Sequence, residues 1–354
     1  MTIMKQLLKT NLFFLILFAL IIPLRLSAQT FEHAGQYMDF ISNANQSLTI
    51  KYLTYMSAVS HGKSARKVEK RRNEVVNAIN DTKFNIMGLP PWKGDRTLKD
   101  TTVAYLKILY TVFNEDYGKI VNMEEIAEQS YDAMEAYLLA QEKAYEKLHE
   151  ASERQHEMQK QFAAKNNITL IESTSELEEK SKTANQVLSH CNEVYLVFFK
   201  PYKQEGYLIE AMNQKNLVGM EQDINSLKKM AEDGMEKLKK IKGYNNDATL
   251  IAACRNMLIY YKSEATRSAS LTDFFLKQEN FAKIKKQFES KPASKRTQQD
   301  IDQFNNAVND INAASKKFNS TNNELNKERT DALNDWNKAY SRYMDDYMPK
   351  QQKQ

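Results

Sequence analysis

The stretch Ile301–Tyr347, IDQFNNAVNDINAASKKFNSTNNELNKERTDALNDWNKAYSRYMDDY, decides the fold. Ile301, Phe304, Val308, Ile311, Ser315, Phe318, Asn322, Leu325, Arg329, Ala332, Trp336, Ala339, Tyr343 and Tyr347 follow one another at steps of three and four. That spacing is the seam of a helix packed lengthwise on a partner, sustained here for several heptads. A straight helix of this length runs about 70 Å. Ser315, Asn322 and Arg329 put polar groups in the seam, which weakens packing but can fix register.

Outward from this stretch the apolar period stays helical. Nine Gly and six Pro are few for 354 residues, and these are the residues that punctuate strands and turns. The breakers that remain predict helices over about 32–60, 64–87, 97–117, 123–166, 174–200, 206–242, 247–289 and 296–347. Strand-like alternation is confined to a short ambiguous run at 168–171. The chain therefore reads as all-α. In the 123–166 helix the seam Ala127, Tyr131, Met134, Leu138, Tyr145, Leu148 is apolar. Its continuation through Ser152, Gln155, Gln159 and Phe162 is mostly polar, so the second half is expected to bridge to a following module.

Two turns suggest how the helices are grouped. Ile86–Asp100, IMGLPPWKGDRTLKD, and Ile241–Leu250, IKGYNNDATL, share Ile-x-Gly, a polar turn, and Asp-x-Thr-Leu entering a helix. Upstream, Tyr52-Leu53 and Tyr195-Leu196 each close a predicted helix about ten residues before Gly62 and Gly206. This is the signature of an internal duplication. The expected architecture is two tandem four-helix up-down bundles with long coiled-coil-like helices: a leader over 1–28, an N-terminal bundle over 29–170 and a C-terminal bundle over 171–354. On this reading Gly88 takes a left-handed C-cap position, and Asp95 or Thr97 caps the next helix. Trp92 either covers the end of a bundle or forms an exposed loop for a partner.

Residues 1–28 have the layout of a cleaved secretory signal. Lys5 and Lys9 precede the apolar run LFFLILFALII, Pro23 ends it, and Ala28 offers a cleavage site before Gln29. The run is shorter than the roughly 20 residues of a membrane span, and no later stretch reaches that length. No Cys follows it to carry a lipid. Loss of Lys5, Lys9 and Arg25 takes the formal net charge from +5 to +2, so the basic precursor is no argument for nucleic acid. Lys51–Val59 (KYLTYMSAV), Gly94–Tyr110 (GDRTLKDTTVAYLKILY) and the leader resemble a family of secreted, all-helical surface proteins of unknown function from Gram-negative bacteria. The resemblance implies export to the periplasm or cell surface and supplies no catalytic residues.

Chemistry-bearing clusters are few. Glu146, His149, Glu150, Glu153 and His156 lie on one helix face. His149, Glu153 and His156 are the metal candidate, weighed against a solvated, charge-laced face. A di-iron bundle would need a second helix with Glu-x-x-His, and there is none. Lys63, Arg66, Lys67, Lys70 and Arg71, with Arg72 beside them, form a basic stripe. It suits lipopolysaccharide or another anionic glycan, or internal pairing with the acids Glu124, Glu125, Glu128, Asp132 and Glu135. No aromatic residues interleave it, so nucleic acid is not expected. Cys191 and Cys254 sit on apolar seams, where export would permit a disulfide but burial as two thiols is the alternative. His190 beside Cys191 points to another helix face and makes no nucleophile pair. Tyr105, Tyr131, Tyr145 and Tyr195 fall on seams and read as core. There is no phosphate-binding glycine loop, nucleophile elbow or His-Glu-x-x-His. No cofactor or catalytic residue is assigned. The expected function is non-enzymatic, a structural or interaction protein of the envelope, with a periplasmic bundle binding a metal or lipid as the alternative.

Overall fold

The helical period becomes helix through most of the described residues. The computed structural model describes residues 30–60, 65–170 and 176–349. The leader and Lys63 lie outside them. The described residues hold α1 (Ala34–Ser60), α2 (Ala65–Met87), α3, α4 (Tyr131–Lys165), α5 (Glu176–Asn213), α6 (Leu217–Leu238), α7 (Thr249–Ser290) and α8 (Gln298–Tyr347). α3 starts as Thr97–Thr111, passes through a π turn at Val112–Asp116 and continues as Tyr117–Ala127. The fold is all-α, and none of these helices is long and apolar enough to cross a membrane.

Three expected boundaries are wrong, two for local reasons and one because burial overrides the local preference. The long helix over 123–166 is two helices, because Ser130 caps a fresh start: its Oγ accepts from the Ala133 amide at 3.1 Å. The break expected before Gly206 is absent, and α5 runs through both Pro201 and Gly206. Proline in a helix costs about 3 kcal/mol. Fully burying Phe198, Phe199 and Leu208 around it returns about 1.5–3 kcal/mol each. The chain turns instead at Gln214–Asn216, where Lys215 is left-handed and Asn216 accepts from the Gly219 amide at 3.1 Å. No strand replaces the ambiguous run at 168–170.

Among sequence neighbours, α4 packs antiparallel to α3 and α8 antiparallel to α7, and α6 meets α7. Lys147 reaches Asp116 and Gln155 reaches Thr102 between α4 and α3. Lys262 reaches Glu232 between α7 and α6, and Phe274 meets Phe318 while Tyr260 meets Leu325 between α7 and α8. One apolar cluster draws on α1 to α4, with Tyr37, Ile41, Ile79, Leu98, Leu106 and Phe162 among its members. The other draws on α5 to α8 and also takes in Leu53, Ala127, Met134 and Leu138. The second half of α4 does not bridge away from the first cluster. Phe162 and Ala163 join it, Ala151 and Gln155 are buried, and Gln155 donates to the Thr102 hydroxyl at 2.8 Å. A polar seam residue can thus be a satisfied core residue.

The seam on α8 is nearly as read. Leu325, Trp336 and Tyr343 are buried, while Ile301 is exposed. A capping box, Thr297 with Asp300, starts the helix. Its first third leaves the body. α5 ends level with Gln278 of α7, marked by a 3.3 Å bond from Lys215. Beyond that level Phe281, Ile284, Phe288, Phe304 and Ile311 belong to neither apolar cluster. Phe288 stacks on Phe304 at 4.4 Å. The tips of α7 and α8 therefore form an antiparallel hairpin, an arm that reaches about 18 Å past Gln278 at 1.5 Å per residue.

Candidate functional site

The two related turns prove to be built alike. Trp92-Lys93-Gly94-Asp95 and Tyr244-Asn245-Asn246-Asp247 are each closed by a bridge between the first and last residue. In both, the two central residues have positive φ, the signature of a type I′ turn. In both, the closing aspartate accepts from the amide two residues on, Thr97 at 2.9 Å and Thr249 at 2.7 Å. Asp95, not Thr97, therefore provides the cap. Each aspartate is also tied to the last turn of its fourth helix: Asp95 by Lys165 at 2.7 Å, Asp247 by the Tyr347 hydroxyl at 2.8 Å. The Lys165 bond and then the Thr97 amide hold the Asp95 carboxyl down at about 2. The left-handed position expected at Gly88 is not there. Gly88 continues from α2 with a bond to the Phe84 carbonyl, and the turn needs its positive φ at Lys93 and Gly94. Trp92 is buried, packed near Tyr37, and its indole donates to Asn166 at 2.9 Å. It is a latch on the end of the helices, not an exposed loop.

The other sequence candidates separate. His149 and His156 are exposed on α4, with His149 stacked on Tyr145. Glu146 pairs with Lys143 and Glu150 with Arg154. Among the described residues no group of three or more His, Cys, Asp or Glu is placed to hold a metal ion, so Glu153 and both histidines belong to a solvated face. Of the basic stripe, Arg66, Lys67 and Lys70 are exposed. Arg71 pairs with Glu74 at 2.6 Å. Arg72 is buried, pairs with Glu69, and donates at 2.7 Å to the Phe113 carbonyl inside the π turn of α3. Part of the stripe is thus spent inside the fold. Cys191 and Cys254 are buried free thiols, and burial pushes each up to about 12, so neither is a nucleophile at neutral pH. His190 faces Tyr343, 5.8 Å between ring centres.

The arrangement the sequence did not flag lies inside the body, where α5, α7 and α8 meet, about 21 Å along α7 from Gln278 at 1.5 Å per residue. Glu205 on α5 and Glu264 on α7 are 3% and 2% exposed. Arg329 on α8, the third polar interruption of the seam, donates Nε to Glu205 at 2.6 Å and Nη2 to Glu264. The Tyr260 hydroxyl donates to the same Glu205 oxygen at 3.1 Å. Glu264 Oε2, Ser268 Oγ and the Tyr261 hydroxyl are buried without a protein partner, and all three share one face of α7. Burial first, then Glu205 beside it, raises the Glu264 carboxyl to about 8, with Arg329 opposing. The only sequence hint was Arg329 in a seam, because Glu205 and Glu264 look like ordinary surface acids until three helices meet. This cluster can hold and release a proton.

Two surface grooves include none of these residues. One, of about 590 Å³, runs along the arm between Phe281, Ile284, Asp302, Ala307 and Asp310. The other, of about 310 Å³, lies beside the π turn among Lys107, Val112, Lys147 and Arg154. No protein family, curated protein or solved structure matches this chain.

Proposed function

We propose that this is an exported, non-enzymatic protein of the cell envelope, built by duplication as two tandem up-down helical bundles, that presents the α7–α8 arm to a partner. The observation that carries the reading is the arm itself. The two longest helices leave the apolar core and pair with one another, which spends ordering entropy on a surface that stabilises the body little. The twin turns support the duplication, since both their backbone and their ties to the fourth helix are repeated. The resemblance of the leader and of the 51–59 and 94–110 segments to helical surface proteins of Gram-negative bacteria supports the location.

The tip fits an anionic partner. Lys283, Lys286 and Lys295 are exposed there, whereas Lys285 pairs with Glu289 and Lys291 with Asp300. Lipopolysaccharide or an acidic glycan has the matching chemistry, and attraction to it is screened by salt. The test is co-sedimentation of the full chain with lipopolysaccharide aggregates at low and high salt, with a K283E/K286E/K295E variant beside it. Binding that salt weakens and the variant loses supports the reading. Equal binding by both proteins removes the arm as the docking element. Mass spectrometry of protein recovered from the periplasm or cell surface tests export, with Gln29 expected as the first residue.

A further inference from the structure

The junction of α5, α7 and α8 inside the body holds an unequal set of charges. Glu205 and Glu264 face one guanidinium, Arg329, in a site that solvent barely reaches. Fully ionised, the three groups would bury a net charge of −1. An uncompensated buried charge is costlier than protonation of one carboxyl. Glu205 already receives Arg329 and the Tyr260 hydroxyl on one oxygen, whereas Glu264 has an oxygen without a protein donor. We propose that this junction is a proton-binding site centred on Glu264, and that parting of α8 from α5 and α7 at this level expels that proton.

The groups facing Glu264 do not offer another source of the missing charge. α5 presents Glu205, and α8 presents Arg329. On α7 itself Tyr260 and Tyr261 are held neutral, their hydroxyls pushed far up by burial and then by the two glutamates. Arg267, one turn toward the tip, is taken by Glu324 and Glu328 of α8. Asp223 of α6 is occupied by Gln204 at 2.8 Å.

With the helices closed, Glu264 keeps its proton up to about pH 8, against 4.5 for an ordinary glutamate. Once solvent reaches it, it ionises as an ordinary glutamate. Between those two values opening releases one proton, so the opening constant grows about tenfold per pH unit. Below the window both states hold the proton; above it neither does. Mild acid therefore clamps α8 to α5 and α7 and mild alkali loosens it, the reverse of an ordinary ion-paired carboxylate. The inference does not depend on what the arm binds.

The experiment is hydrogen exchange of the full chain at pH 5.5, 6.5, 7.5 and 9, corrected for intrinsic exchange, reading peptides over 322–338. The expected result is a roughly 100-fold rise in opening between pH 5.5 and 7.5 and a plateau beyond about 8.5, with peptides from α2 unchanged. Glu264→Gln, which cannot ionise, should stay closed and flat across the range. Glu205→Gln, which balances the charges, should flatten the response as well. Circular dichroism first establishes that both variants are folded. Infrared spectroscopy of the unaltered protein adds a readout independent of any variant, a protonated-carboxyl band at pH 7 that fades by pH 9.5. A pH-independent opening, a Glu264→Gln response equal to that of the unaltered protein, or no such band at pH 7 would overturn the proposal.

Discussion

Replacing Arg329 by Met removes the one cation that two buried carboxyl groups share. Met matches much of the arginine stem, so lost packing is small, under about 1.5 kcal/mol by analogy with volume-conserving swaps. The electrostatic loss is larger. Glu205 keeps only the Tyr260 hydroxyl and Glu264 keeps no cation at all. Breaking a buried pair from one side costs about 3–5 kcal/mol, and that is the deficit expected at pH 7. It should shrink in acid, which favours the neutral form of a buried carboxyl left without its cation. The triple variant E205M/E264M/R329M removes all charge together and should be as stable as the unaltered protein, or more stable by about 1–4 kcal/mol. Urea titration followed by the emission of Trp336 provides the assay. That side chain is buried two turns from Arg329 and stacked on Phe198 at 4.6 Å, and Trp92→Phe in every protein makes it the sole reporter. The midpoints can be compared only where the slopes agree. A deficit below about 1 kcal/mol at pH 7, or one that does not narrow in acid, refutes the view that Arg329 compensates buried charge.

Other consequences can be checked as directly. Gly243→Ala should destabilise the second half by more than about 2 kcal/mol in the same titration, because a Cβ there would sit 2.3 Å from the Asp247 carbonyl oxygen. Asn246→Gly should raise stability by a few tenths of a kcal/mol, since glycine takes the positive φ at no steric cost. Trp92→Phe should lower the melting temperature by the equivalent of about 1 kcal/mol, the worth of its bond to Asn166. Cys191 and Cys254 should both resist a thiol reagent in the folded protein and both react in denaturant without reductant; one unreactive pair in denaturant would mean a disulfide.

What the sequence disclosed was periodic, and what it hid was three-dimensional. The seam from Phe304 to Tyr347 needed no partner to be visible, because a strict three-four repeat has one reading. The turn at Trp92 and its echo at Tyr244 were equally plain in the Asp-x-Thr-Leu pairs. Helix ends were harder. Gly206 and Pro201 carry the local preference of a break, and burial of the aromatic residues around them overrode it. Ser130, an unremarkable residue in a periodic run, supplied the capping bond that the pattern did not demand. Arg72 stood beside the stripe of Arg66, Lys67, Lys70 and Arg71 with no role of its own; the Phe113 carbonyl in the π turn of α3 draws it inward, and nothing in a linear pattern announces a π turn. Glu205 and Glu264 stand 59 positions apart, and their meeting depends on how α5 and α7 cross.

The paired tips of α7 and α8 have a property that the body lacks. Each turn of that hairpin touches only the opposite strand of the hairpin, so its length is an independent variable. Inserting seven residues into both helices at matching levels would add about 10 Å of reach while returning every seam position to its own face. Insertion into one helix alone would put the two seams out of step. An arm built this way can therefore lengthen by whole, balanced increments, with the body left unaltered.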